Sequence, residues 1–401
     1  MNSIKPDHVQ QVENNAHFNV CRSIRRQQLV SVTYLIPRLN IKKEALFIYL
    51  GMVFHSSKEY LTYRSLMKKL DSLYGAKLSV SHKIFERDIS ITFSIVATDD
   101  AYLHTIKNLS MEAVELLNAL INNGISRDES TLNAIKEHAC KSYEEYVKSD
   151  EYTINQGINE LFKNSFKYKE YMYDSLEAIN SVSFTDIEAI ISELSNCTRF
   201  VTYIGDEKAS TAIKLKHYFK PTPFIPRVRT NDLVINKVDS IDLNNGGKKL
   251  YIAYRYPSIN GEATLLFTLV MENILKHLIN DVLKLNINFR VNYNLFNGLV
   301  VIEINDLVSS DKLYLEKIKE LLASEFIELD KSVFNKEMKV LKTKLQMIKE
   351  DDEGRNDFIV LTTYLAISKK IDDYLDKVEK LSIEDFKSFL VHCNFIGDVK
   401  S

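Results

Sequence analysis

The stretch Val30-Ser31-Val32-Thr33-Tyr34-Leu35-Ile36-Pro37 sets the fold of this 401-residue chain. Val30, Val32, Tyr34 and Ile36 alternate with Ser31, Thr33 and Leu35, the two-residue period of a strand with one packed face. Proline then ends the run, because it fixes φ and has no N–H to give a neighbouring strand. The same phrase returns in the second half, where Leu250, Ile252, Tyr254 and Tyr256 alternate before Pro257.

Outward from each proline the order of elements matches. An apolar segment of helical length comes first, 44–54 and then 262–278. Strand pairs follow. In the first half Ile89, Ile91, Phe93 and Ile95 alternate with Ser90, Thr92 and Ser94; in the second, 299–304 follows a turn at Asn297-Gly298. Amphipathic helices are expected over 101–122 and 313–327. Each half then carries a helix-start signal, Ser183-Phe184-Thr185-Asp186 and Ser382-Ile383-Glu384-Asp385. There the Ser hydroxyl accepts from an early backbone N–H and the acid reaches back. The halves close on Ile204-Gly205-Asp206 and Ile396-Gly397-Asp398. This grammar predicts an α+β protein of two duplicated domains, each a mostly antiparallel sheet with helices packed on one face. Half of the 6 prolines, Pro221, Pro223 and Pro226, fall in one short stretch, which reads as an extended linker. The expected division is 1–218, a linker over 219–229, and 230–401.

Composition excludes several functions. Lys and Arg total 52 against 54 Asp and Glu, a balance that gives no electrostatic reason for a nucleic-acid partner. The basic cluster Arg22, Arg25 and Arg26 reads as a solvated strand flank. The 4 cysteines, Cys21, Cys140, Cys197 and Cys393, form no C-x-x-C pair and read as reduced thiols of a cytoplasmic protein. The first residues are polar and charged, so no signal peptide is expected. The longest apolar run, 45–54, is about half of the roughly 20 residues that a bilayer span requires.

The usual motifs of chemistry are missing from the sequence. It has no Gly-rich phosphate loop, no G-x-S-x-G elbow and no histidine pair at H-x-x-E-H or H-x-x-x-H spacing. That last spacing would set two imidazoles on one helix face, as a zinc site requires. His138 and Cys140, two apart on an expected helix, point to different faces, and His392-Cys393 reads as packing.

The segment Tyr63-Arg64-Ser65-Leu66-Met67-Lys68-Lys69-Leu70-Asp71-Ser72-Leu73-Tyr74-Gly75-Ala76-Lys77-Leu78, with the alternating strand up to Ile95, resembles the pitrilysin/insulinase family of zinc peptidases. It is most similar to short bacterial members without the zinc motif. The resemblance, carried chiefly by Leu70-Asp71-Ser72-Leu73-Tyr74-Gly75-Ala76, implies the pitrilysin/mitochondrial-processing-peptidase-like fold. In that family paired subunits enclose a chamber for peptides. Ser56-Ser57 stands where the family has a Gly-Thr pair, so the family's H-x-x-E-H motif falls on Phe47, Leu50 and Gly51. Phe and Gly would replace both ligand histidines, and Leu the glutamate base; none can bind Zn²⁺ or accept a proton. A shift of one or two residues restores nothing, because 44–54 contains no His or Asp and Glu44 alone makes no site. Glu137 lies at about the distance of the family's third ligand and reads as a solvated helix residue. The Arg and Tyr with which active relatives hold substrate fall on Asn280 and Ile287, with Arg290 and Tyr293 nearby at a different spacing.

The resemblance therefore implies a chain without catalytic or metal-binding residues of its own, with no cofactor here and zinc in a partner subunit. The implied role is to position peptide for an H-x-x-E-H-bearing homologue in a heterodimer. Family analogy extends this to maturation of a ribosomally made bacteriocin-type peptide. The alternative is a non-proteolytic peptide-binding or scaffolding homodimer that supports a modifying enzyme. The residues that bind substrate stay unassigned.

Overall fold

The computed structural model describes residues 17–21, 23, 25–55, 57–85, 88–103, 108–161, 171–205, 209–222, 240–242, 249–255, 261–282, 288–294, 298–305, 311–323 and 329–400. In chain order the first half holds β1 (His17–Cys21), β2 (Gln27–Pro37), α1 (Lys43–His55), α2 (Tyr63–Ser72), β3 (Lys77–Ile84), β4 (Asp88–Thr98), α3 (Leu109–Asn122), α4 (Glu129–Val147), α5 (Asp150–Leu161), α6 (Leu176–Asn180), α7 (Phe184–Asn196), β5 (Thr198–Ile204) and α8 (Ala209–Tyr218). The second half holds β6 (Ser240–Asp242), β7 (Leu250–Arg255), α9 (Gly261–Lys276), β8 (Asn288–Asn294), β9 (Leu299–Asn305), α10 (Asp311–Ala323), α11 (Lys331–Glu350), α12 (Asp352–Tyr364), α13 (Ile371–Val378), α14 (Ile383–Val391) and β10 (Asn394–Lys400).

Two sheets result, in the orders β1-β5-β2-β4-β3 and β6-β10-β7-β9-β8. Element for element these are the same topology: one parallel pair at one edge, antiparallel pairs elsewhere. The fold is α+β, as the alternation and the repeat predict. Both helix-start signals form reciprocal caps. Ser183 Oγ accepts from the Asp186 N–H at 3.3 Å while Asp186 accepts from the Ser183 N–H at 2.7 Å. Ser382 and Asp385 do the same at 3.1 and 2.9 Å. The Ser382 N–H and hydroxyl hold the Asp385 carboxylate below its usual range.

On the apolar face of the first sheet, Val30, Val32, Tyr34 and Ile36 join Ile91, Phe93 and Ile95 in one buried cluster with α1, α3 and α7. The Tyr34 and Phe93 rings meet edge to face at 6.2 Å. Each such side chain taken out of water contributes roughly 1.5–3 kcal/mol.

The opposite face, polar in sequence, is buried too. Ser31, Thr33, Thr92, Ser94 and Thr202 have almost no exposure. Most of these hydroxyls are satisfied by cross-strand neighbours: Thr33 pairs with Thr92 at 2.8 Å, Ser79 with Ser94 at 2.7 Å, and Thr202 accepts from Asn19 at 3.4 Å, while the Ser31 hydroxyl is buried without a hydrogen-bond partner among the described residues. The cover is lent by the other half of the sequence. One compact unit comprises 1–146, 171–225 and 350–360; the other comprises 147–170, 226–349 and 361–401. Each half thus gives a helical segment to the opposite unit, α5 from the first half and the first part of α12 from the second. Within the first unit, Asp352 accepts from Ser23 and Gln27 at 2.8 and 3.3 Å, Lys77 pairs with Glu353 at 2.9 Å and Lys83 with Asp357 at 3.1 Å. Ile359 adds a small apolar cluster with Cys21, Leu29 and Ile204. Within the second unit the cover is apolar: Ile154, Ile158 and Leu161 of α5 pack with Tyr251, Ala253, Leu299 and Val301.

The compact units change over at 225/226 and in addition exchange 147–170 and 350–360. Pro221 is described; Pro223 and Pro226 lie outside the described residues, as do Arg22, Asn297 and the end of the 313–327 helix. No helix among the described residues is long and apolar enough to cross a membrane. Of the basic cluster, Arg25 pairs with Asp351 at 3.2 Å and Arg26 lies over the Tyr102 ring at 5.4 Å.

Candidate functional site

The helix α1 forms because 45–50 is apolar on every side and sits in the core; only its first turn is charged. There Lys43 and Glu44 are both buried. A buried charge is tolerated when paired, and each of these clamps one strip of chain. The Lys43 ammonium donates to Asp174 Oδ1 at 2.8 Å and to the Tyr171 carbonyl at 2.9 Å, while Glu44 Oε1 accepts from the Asp174 N–H at 2.8 Å. Tyr171 in turn stacks on Tyr146 of α4 with ring centroids 4.0 Å apart. Segment 171–174 is thereby fixed against α1 and α4.

One turn further along α1, Phe47 meets His82 of β3 edge-on at 4.8 Å and Tyr173 at 6.1 Å. Phe47 and Leu50 are both buried. At Gly51, α4 approaches so closely that a Cβ would lie 3.0 Å from Ile135 Cγ2. Around the three positions where the resemblance places the zinc motif the structure therefore offers an aromatic trio of Phe47, His82 and Tyr173 and a close contact at Gly51. Of these His82 alone carries an imidazole, and one imidazole is not the three-ligand set of a zinc site. The side chain of α4 that faces Gly51 is Ile135. Glu137, two residues on, is exposed and pairs with Lys141 at 2.7 Å, and that hydrogen bond keeps its carboxylate below the usual range. Among the described residues no three His, Cys, Asp or Glu side chains gather as a metal site needs.

The remaining sequence candidates are dispersed. His138 is exposed and Cys140 half-buried, its Sγ 3.8 Å from Asn180 Oδ1. His392 Nδ1 lies 2.6 Å from the Ser388 carbonyl, and burial pushes the Cys393 thiol up to about 12. Cys21, Cys140, Cys197 and Cys393 are all free thiols. Asn280 lies in the π-helical turn His277–Val282 after α9, and Ile287 lies outside the described residues. Arg290 is exposed on β8, in register with Glu303; Tyr293 follows on the same strand.

What sequence reading missed is the edge. β3 is the last strand of its sheet, so among the described residues one side of its backbone has no neighbouring strand. Such an edge is a template for an added strand. Leu78, Val80 and Ile84 turn toward the core; His82 shares their period and its ring reaches Phe47, although the residue as a whole is exposed. The surrounding protein disfavours the charged imidazole and lowers its pKa. Lys77, Ser79 and Lys83 turn the other way, toward Glu353 and Asp357. The period-2 placement of His82 between Val80 and Ile84 was the available signal. Tyr173 and Ile135 gave none, because their approach to α1 is purely tertiary.

No family model matches the sequence, and no curated protein matches it. Solved structures do match. The chain is similar to a conserved protein from Enterococcus faecalis V583, at 14% identity and TM-score 0.76, over 97% of each chain. It is similar to a protease from Helicobacter pylori, at 13% identity and TM-score 0.68, over 99% of this chain and 100% of that one. It is also similar to a peptidase M16 inactive domain from Pseudomonas fluorescens, at 10% identity and TM-score 0.70, over 95% of this chain and 93% of that one. At these identities the likeness is one of fold: the chain has the architecture that M16 peptidases and an inactive M16 domain share.

Proposed function

We propose that this chain is a peptide-handling, non-catalytic member of the peptidase architecture, which positions a peptide along β3 for a partner subunit carrying an intact H-x-x-E-H motif. The observation that supports it most is the pairing of two features at one place: an open strand edge, and beside it a helix whose motif positions are Phe47, Leu50 and Gly51. Strand addition draws its affinity from backbone hydrogen bonds and needs few particular side chains. A chain without ligands retains it. Zinc would reside in the partner. A ribosomally made, modified peptide of the bacteriocin type is the substrate class proposed.

The test is peptide cleavage with metal analysis, on the chain alone and with an H-x-x-E-H-bearing homologue encoded beside it. The expected result is a zinc-free, inert chain that raises the homologue's chelator-sensitive turnover. Stoichiometric zinc and cleavage by the chain alone would overturn the reading. A second reading keeps the edge strand and drops the protease: a scaffolding homodimer that presents a peptide to a modifying enzyme. The exposed outer face of α2 favours it.

A further inference from the structure

We propose that α2 docks antiparallel on α2 of a second copy of this chain, about a twofold axis at Met67–Lys68. The inner face of α2 is already used, since Leu66, Leu70 and Leu73 are buried. Its outer face and ends are what stand out. Leu61, Tyr63, Met67 and Tyr74 are 62%, 49%, 36% and 48% exposed, four of the nine large apolar side chains left exposed among the described residues. α2 and its two flanks thus carry nearly half of these side chains, among them the Tyr and Met that interfaces favour; the Tyr63 ring also stacks on His55 at 5.4 Å.

Two further observations say how the element is presented. Its start is rigid: Thr62 and Ser65 cap each other, with Thr62 Oγ1 accepting from the Ser65 N–H at 3.2 Å. Its end is strained: Tyr74 has φ 58°, the left-handed region, followed by Gly75 at 71°. For a residue with a Cβ that conformation costs roughly 1–2 kcal/mol. Gly or Asn would turn the chain more cheaply, and the ring carried at this position is 48% exposed.

Charge selects the occupant. Arg64, Lys68 and Asp71 are exposed on the same face, and none is in an ion pair among the described residues. A parallel neighbour would set Arg64 and Lys68 against cations. An antiparallel copy sets Arg64 against the partner's Asp71 and Asp71 against the partner's Arg64. It also sets Leu61 against the partner's Tyr74, twice. Met67 meets the partner's Lys68, whose methylene stem covers the thioether. The patch is self-complementary, which is the condition for a closed twofold interface.

The experiment is sedimentation equilibrium of the full chain over a range of concentrations, without peptide or homologue, so its outcome is independent of the peptidase reading. A monomer–dimer equilibrium is expected. Arg64→Asp places like charges together and should weaken it by about tenfold or more. The swap Arg64→Asp/Asp71→Arg should restore it, and Tyr74→Asn, a residue at ease in the left-handed region, should weaken it with no loss of Tm. A strictly monomeric wild type overturns the proposal. So does a swap as weak as its parents, or a dimer indifferent to all three variants. Dimerisation through Arg64 only after the homologue is added would replace the second copy with that homologue.

Discussion

At Gly51 the backbone of α1 and the side chain of Ile135 are so close that a single added carbon must displace something. Restoring the zinc motif is therefore a packing problem before it is a chemical one. In Gly51→Ala the crowding of Ile135, about 1–3 kcal/mol, should outweigh the roughly 1 kcal/mol that Ala gains over Gly in a helix, a net loss read by thermal unfolding. The triple change Phe47→His, Leu50→Glu, Gly51→His should bind no stoichiometric zinc unless Ile135 is also replaced by Glu. Zinc per chain, measured by metal analysis, decides it. His82 gives a pH signature on the other side of Phe47. Its folded pKa is lowered, so as pH falls through about 6.5 the unfolded chain takes up a proton that the folded chain resists. Its contribution to stability is present above that pH and lost below it. His82→Gln should flatten this part of the stability–pH curve; an unchanged slope would show that the imbalance lies elsewhere.

Among elements, the two lent helices do one job with opposite chemistry. α5 is held by Ile154, Ile158 and Leu161 on an apolar sheet face, whereas residues 350–360 are held largely by carboxylates reaching Lys77, Lys83, Ser23 and Gln27. Ile158→Ala should accordingly cost about 2–5 kcal/mol. Glu353→Ala, which breaks an exposed pair, should cost about 1 kcal/mol or less. Denaturant titration of both variants checks the contrast. These elements also mark where sequence stopped informing. The strands around Val30 and Leu250, the apolar helices after them and the Ser183 and Ser382 caps were legible because each is written in a local period or a four-residue signal. The covering of the Ser31–Thr33 face was not. Alternation says which face is polar, but Thr33 and Thr92 satisfy one another, so a polar face could be buried by a helix encoded far away. The open edge at β3 was hidden for the same reason: strand order is a long-range fact.

For the whole molecule, the exchange makes each half of the sequence incomplete. Fragments 1–222 and 223–401 each lack the helix that covers one sheet face. Expressed singly, they should show exposed apolar surface by dye binding and no cooperative unfolding; co-expressed, they should recover a two-sided core and co-purify. A singly expressed fragment that melts sharply would show the lent helix to be dispensable. The same exchange sets a timetable during translation. When β5 leaves the ribosome, the first sheet can close, yet residues 350–360 are still about 150 codons away, on the order of 10–30 s at ordinary elongation rates. For that interval a face lined with Ser31, Thr33 and Thr92 is wetted rather than covered, and hydroxyls tolerate water where leucines would not. The polar composition of that face is thus suited to an unfinished chain, and the apolar face that receives α5 belongs to the sheet made last, when its cover already exists.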